Sequence, residues 1–225
     1  MRNIYYHTSK APIGCNDCHG CDTCCHEMGD SIIQDPYDLW NFSTHMKVSG
    51  GAPITFDLLI SEDGPWELST HEHMLLPNIK MVDDGVCPFL SESGRCSIHS
   101  IRSGLCRLYP LGRQYEARGD QEILTYYILE ETLGCPKIAN GGTPVLISEW
   151  LGLPHPDKYQ KFLLDWHSIK NDMYVFYQMM SQDNYLRMQN LLLHIFFENN
   201  YERDFYNDFN NRMQVWQGVK SAALS

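Results

Sequence analysis

The spacing of apolar positions changes character near residue 143. Beyond it, Tyr159, Phe162, Leu163, Trp166, Ile169, Met173, Phe176, Tyr177 and Met180 recur on one face of a helix. Tyr185, Met188, Leu191, Leu192, Ile195 and Phe196 mark a second helix, and Phe205, Phe209, Met213 and Trp216 a third. Aromatic and methionine stripes at this spacing are core-facing, so the three helices are expected to pack on the preceding part of the chain.

Before residue 143 the pattern is shorter and mixed. Residues 1–14 read as an irregular lead-in. Asp35-Pro36 is a helix start, with Leu39, Trp40, Phe42 and Met46 following at helical spacing and a stop near Gly50-Gly51. Ile54 to Ile60 reads as a strand closed by the turn Glu62-Asp63-Gly64-Pro65, and Leu75 to Val82 as another, followed by the turn Asp83-Asp84-Gly85. Val86 to Leu90 and Arg95 to His99 flank Ser91–Gly94, which predicts a hairpin that brings Cys87 and Cys96 together. Glu122 to Leu129 is β-branched and aromatic, a third strand. Asn140-Gly-Gly-Thr-Pro144 reads as a linker, since it lacks the strand–loop–helix context of a nucleotide site. The expected fold class is α+β. A loop-rich cysteine-cluster domain with short strands, residues 1–142, precedes a helical C-terminal extension, residues 143–225, packed on it.

Charge narrows the partners. Lys and Arg number 17 against 28 Asp and Glu, a formal net charge of −11. An acidic chain disfavours nucleic acid and anionic membrane, leaving a protein or a small molecule as the expected partner. No apolar run is long enough to cross a bilayer. The first residues lack the apolar core and cleavage site of a signal peptide, so a cytoplasmic protein is expected. Nine cysteines in that compartment point to metal or redox chemistry rather than to disulfides.

Five of those cysteines, Cys15, Cys18, Cys21, Cys24 and Cys25, fall within one short run containing three successive Cys-x-x-Cys intervals. A two-residue spacer lets thiolates on one turn converge on one centre, as four-sulfur zinc sites and iron–sulfur clusters both require. Cys87, Cys96, Cys106 and Cys135 add four more sulfurs, and Cys87 and Cys135 each precede proline. Ferredoxin-type sites complete a Cys-x-x-Cys-x-x-Cys run with a distant cysteine followed by proline. Cys24 and Cys25 are neighbours, and adjacent side chains diverge by about 100° on a helix and to opposite faces on a strand. They are therefore expected to serve different centres, or different irons of one cluster. Two four-sulfur sites and one larger metal–thiolate assembly both remain open. Charge does not choose the metal, because four thiolates on zinc or on a 4Fe–4S cluster both leave about −2.

Cys18-His-Gly-Cys21-Asp-Thr-Cys24-Cys25, then Cys87-Pro-Phe-Leu with Gly94-Arg-Cys96-Ser-Ile, then Cys106-Arg-Leu-Tyr-Pro110, and finally Gly134-Cys135-Pro136, form an ordered set of blocks. Over about residues 15–140 they resemble the YkgJ-type cysteine-cluster family, whose signature is CxxCxxCC and which is described as a zinc- or iron-chelating domain. The resemblance implies that Cys18, Cys21, Cys24, Cys25, Cys87, Cys96, Cys106 and Cys135 are the metal-binding set, with Cys15 extra to it. The sequence departs from the family at His99 and Arg102-Ser103, where tyrosine and an Arg-Pro pair are common. That leaves His99 as a substitute ligand candidate. Flagellin lysine N-methylases, which are longer, carry a similar signature, so the resemblance also brings in methyl transfer.

His19 and His26, inside and beside the run, are further ligand candidates. His71-Glu72-His73 would place two imidazoles on one side of a strand. Arg102 and Arg107 flank Cys106 and could stabilise an anionic metal–thiolate centre from outside its ligand shell. No Gly-x-Ser-x-Gly, His-Glu-x-x-His or phosphate-binding loop is present. The function expected is a cytoplasmic protein holding an iron–sulfur cluster, 4Fe–4S first, in a redox or group-transfer role. The alternative is a structural zinc-binding interaction module or a metal-handling protein.

Overall fold

Three two-stranded antiparallel ribbons and a set of helices make up the computed structural model, which describes residues 2–15, 22–48, 50–82, 85–129 and 142–224. This is an α+β fold with a helical C-terminal region. The chain divides into two compact units interleaved along the sequence. One comprises residues 1–28 and 84–166, the other residues 29–83 and 167–225. This partition groups residues 29–83 with the C-terminal helices, whereas the partition expected from composition cuts the chain once, after 142.

In the first unit, β1 (Lys10–Gly14) pairs with β6 (Thr143–Leu146), and β4 (Leu111–Arg118) pairs with β5 (Gln121–Ile128). The supposed lead-in therefore contains a strand, with Ala11 and Ile13 wholly buried. Two of the supposed linker residues, Thr143 and Pro144, lie in its partner, and Asn140 and Gly141 fall outside the described residues. The ribbon is tight. A Cβ on Gly14 would sit 2.2 Å from Thr143 Oγ1, so only glycine fits there. The β4–β5 hairpin turns at Gly119, whose φ of +60° suits glycine. Two short helices, α3 (Gly104–Leu108) and α4 (Ile147–Leu151), are tied together by Arg107. This guanidinium is buried and donates to the carbonyls of Arg102 at 2.9 Å, Ser100 at 2.5 Å and Leu151 at 3.5 Å. Its role is to hold main chain, not sulfur.

In the second unit, α1 (Pro36–His45) starts at a capping box. Asp35 and Asp38 each accept the other's backbone N–H, and proline occupies the first helical position. The stretch expected as a strand at 54–60 is the short helix α2 (Phe56–Leu59). Its buried residues, Phe56 and Leu59, are three apart, while Leu58 is exposed, which is a helical and not an alternating pattern. β2 (Trp66–His71) and β3 (Met74–Ile79) form a hairpin turned at Glu72, a non-glycine residue at φ +57°. His71 and His73 therefore do not share one side of a strand. His71 meets the Ser69 hydroxyl at 2.7 Å, and His73 stacks on Tyr177 with ring centroids 5.3 Å apart.

The long helix α5 (Pro156–Met179) contributes residues to both units. With α6 (Gln182–Phe196) and α7 (Phe205–Leu224) it matches the three expected helices. The apolar stripe of α5 is buried as expected from Tyr159 to Phe176, but Tyr177 is half exposed. Phe176, Phe196 and Trp216 pack together, and the Trp216 indole donates to Asp172 at 3.0 Å. Among the described residues no helix is long and apolar enough to cross a membrane.

Candidate metal centre

The candidate site lies in the first unit and is built on one small backbone bridge. The run of cysteines ends in a 3-10 turn, Thr23–Cys25, closed by Cys25 N–H donating to the Asp22 carbonyl at 2.7 Å. The chain then extends, and His26 bridges Val86 in antiparallel fashion. Cys87 N–H donates to the Cys25 carbonyl and Glu27 N–H to the Gly85 carbonyl, each at 2.8 Å. In an antiparallel pair, residues that flank a bridge stand opposite one another with side chains on the same face. Cys25 and Cys87 are such a pair. Gly85 makes the approach at φ +80°.

The side chains complete the contact. Cys25 hydrogen-bonds both Cys24 and Cys87, and the charge of Cys24 also acts on Cys87. Cys25 is the thiol on which the other two act together. Its thiol is pushed far up by the bonds to Cys24 and Cys87 and then by burial. Cys24 is lowered to about 7, first by its bond with Cys25, against the opposing effect of burial. Cys87 is likewise lowered to about 7 by Cys25, against burial, with the Phe89 backbone N–H adding to the lowering. Cys24 and Cys25 were expected to serve different centres or different irons of one cluster, and their side chains hydrogen-bond each other. The direction of Cβ fixes where a side chain starts, and rotation about χ1 brings neighbouring sulfurs together from a tight turn.

Cys96 arrives through the Cys87-Pro88-Phe89-Leu90 turn. Leu90 bridges Cys96, Ser91 N–H donates to the Arg95 carbonyl at 2.8 Å, and Gly94 turns at φ +73°. The expected hairpin is thus a single bridge rather than two strands. Cys96 lies within electrostatic reach of Cys87 and Cys24, and burial raises its thiol while the Ile98 backbone N–H pulls it down. The two knuckles repeat one device. Cys87 and Cys96 each accept a hydrogen bond from the backbone N–H two residues on, Phe89 and Ile98. Cys106, on α3, accepts from the Ser103 hydroxyl at 3.3 Å. Sequence reasoning missed Phe89, Ile98 and Ser103, although the recurrence of Cys-Pro-Phe and Cys-Ser-Ile carried the signal for the first two.

The remaining candidates fall as follows. Arg102 donates to His99 Nε2, and its charge lowers both Cys24 and Cys96. His99 therefore meets an arginine. His26 faces Asp22 at 3.3 Å, and its charge lowers Cys87. Cys15 is buried at the end of β1. Cys18, His19, Cys21 and Cys135 lie outside the described residues. Among the described residues, no three His, Cys, Asp or Glu side chains are disposed to close on one ion.

The described thiols interact with one another, and those of Cys87 and Cys96 each accept a backbone N–H. Residues 17–125 match the family described as "CxxCxxCC: Putative zinc- or iron-chelating domain". No curated protein and no solved structure is a match to the chain.

Proposed function

We propose that Cys18, Cys21, Cys24, Cys25, Cys87, Cys96, Cys106 and Cys135 bind zinc or iron directly through their thiolates, and that the metal fixes the loops that carry them. The observation that supports this is the contact of Cys25 with both Cys24 and Cys87. Four-sulfur zinc sites take their ligands from closely spaced cysteines of this kind, so zinc is the first occupant proposed.

An iron–sulfur cluster is the second reading. The number of sulfurs and the donors from Phe89, Ile98 and Ser103 favour it, since hydrogen bonds to sulfur tune such clusters. A bound cluster would supply electron transfer, or a redox step within group transfer of the methyl-transfer kind. In either reading Arg102 offsets thiolate charge, and Arg107 holds the main chain around Cys106. Thiols of this kind persist in a reducing compartment, so the cytoplasm is the proposed setting. A net charge of −11 makes a protein or small molecule the proposed partner, in preference to nucleic acid or an anionic membrane.

The deciding experiment is metal and acid-labile sulfide analysis, with visible absorption, on full-length protein purified without oxygen. Colourless protein with stoichiometric zinc supports the first reading. Brown protein with iron and sulfide supports the second, and protein that carries neither metal and takes up neither overturns both.

A further inference from the structure

We infer that the exposed aromatic shelf at the turn of the β2–β3 hairpin, made by His73, Tyr174 and Tyr177, is a docking surface for an arginine-bearing segment of a partner protein. All three residues belong to the second unit and none to the metal centre, so failure here would leave the reading of that centre untouched. Tyr174 and Tyr177 stand three apart on α5, which makes them neighbours on its surface. The His73 ring lies against both, stacked on Tyr177 with centroids 5.3 Å apart and tilted on Tyr174 at 5.1 Å. Tyr185 of α6 meets Tyr177 edge-on at 5.3 Å. Yet Tyr174 is 52% exposed and Tyr177 51%. The shelf is anchored through its main chain. The His73 carbonyl accepts the Tyr185 hydroxyl at 2.9 Å and the Gln189 amide at 3.3 Å, and Gln189 in turn accepts the Leu75 N–H at 2.7 Å. Rings ordered beforehand lose little freedom when a partner docks, which suits them as binding anchors.

Two observations choose the partner. The first is charge. Glu72, beside His73, and Asp183, two residues before Tyr185, are exposed, and among the described residues neither takes part in an ion pair. Glu72 sits at φ +57°, so the turn holds a carboxylate where the backbone favours glycine. Lys170, one turn before Tyr174, is half-buried and engaged in a contact of its own. Residues 29–83 together carry nine acidic and two basic side chains. The second observation is how tyrosine is used elsewhere in the chain. Arg212 lies over the Tyr201 ring at 3.7 Å, Arg2 over Tyr127 at 5.0 Å and Arg118 over Tyr6 at 5.4 Å. Among the described residues no cation covers Tyr174 or Tyr177. An arginine brought by a partner would meet open ring faces beside unpaired carboxylates, and its planar guanidinium stacks on such faces.

The peptide acetyl-Gly-Arg-Gly-Arg-Gly-amide, titrated into isotope-labelled full-length protein and followed by nuclear magnetic resonance, tests this. The same peptide with citrulline for arginine is the uncharged control. Backbone shifts are expected to centre on residues 72–74 and 171–178, with the arginine peptide binding at least about threefold more tightly than the control. Tyr174→Leu with Tyr177→Leu should abolish that preference, and Tyr174→Phe with Tyr177→Phe should keep it. The two pairs separate the ring faces from general attraction to an acidic chain, and the phenylalanine pair keeps the test informative if the leucine pair folds poorly. Absence of shifts at about 5 mM peptide, or shifts spread over acidic residues at large, would overturn the docking surface. So would a preference that survives the leucine pair or is lost in the phenylalanine pair. Self-association through the same residues would overturn it as well, since the occupant would then be a second copy of the chain.

Discussion

Arg107 is a buried cation whose donors all go to carbonyl oxygens, those of Arg102, Ser100 and Leu151. Hydrogen bonds from a charged group are worth about 1.5–3 kcal/mol each, and buried acceptors left unpaired add a desolvation cost. Arg107→Met should therefore destabilise the protein by roughly 3 kcal/mol in a denaturant titration. A change below about 1 kcal/mol would show that the clamp is not needed. The neighbouring Arg102 cannot be distinguished from it by sequence, since both flank Cys106. The structure separates them, because Arg102 projects to His99 and acts on Cys24 and Cys96. The adjacent pair Cys24-Cys25 shows a similar limit. Cβ directions are legible in a sequence, whereas side-chain rotamers are set by what packs around them.

Elements were legible where their cause is local. Helices α5, α6 and α7 follow from a repeat of apolar residues at helical spacing, and α1 from Asp35-Pro36 and its capping box. The β1–β6 ribbon was not legible, because Lys10 finds its partner at Leu146 and nothing near either strand announces the other. The misread segment at 54–60 is rich in β-formers, but burial of Phe56 and Leu59 outweighs that preference. Close packing makes one element sensitive to a single methyl group. In the β4–β5 hairpin a Cβ on Gly112 would lie 2.4 Å from the Tyr127 ring. Gly112→Ala should lower stability by about 1–3 kcal/mol, as overpacking does, and Gly112→Ala with Tyr127→Ala should recover part of it. Thermal melts of the two variants read the outcome, and an unchanged melting temperature in the single variant would contradict the packing.

At the scale of the molecule, the two units differ in what holds them. The second rests on large buried side chains, Trp66, Trp216, Phe42, Phe196 and Phe205 among them. The loops of the first that carry Cys24, Cys25, Cys87 and Cys96 are held by isolated bridges and short turns. Metal binding there should be coupled to folding. A strong chelator is expected to raise amide hydrogen exchange over residues 22–28 and 85–106 by at least tenfold, and to leave 182–224 little changed. Equal protection of both regions with and without chelator would mean that the metal only decorates a fold that stands without it.

The bond from Glu27 N–H to the Gly85 carbonyl closes the chain on itself between residues 27 and 85. Everything between those points departs from one doorway and returns through it. The cysteine pair across the doorway therefore does not depend on the length of the excursion. Doubling a flexible closed loop costs only about 0.6 kcal/mol, so residues added within an exposed turn of the excursion would leave Cys25 opposite Cys87. In a search of other genomes for this kind of site, the interval between the cysteine run and the Cys-Pro knuckle is the quantity to leave free.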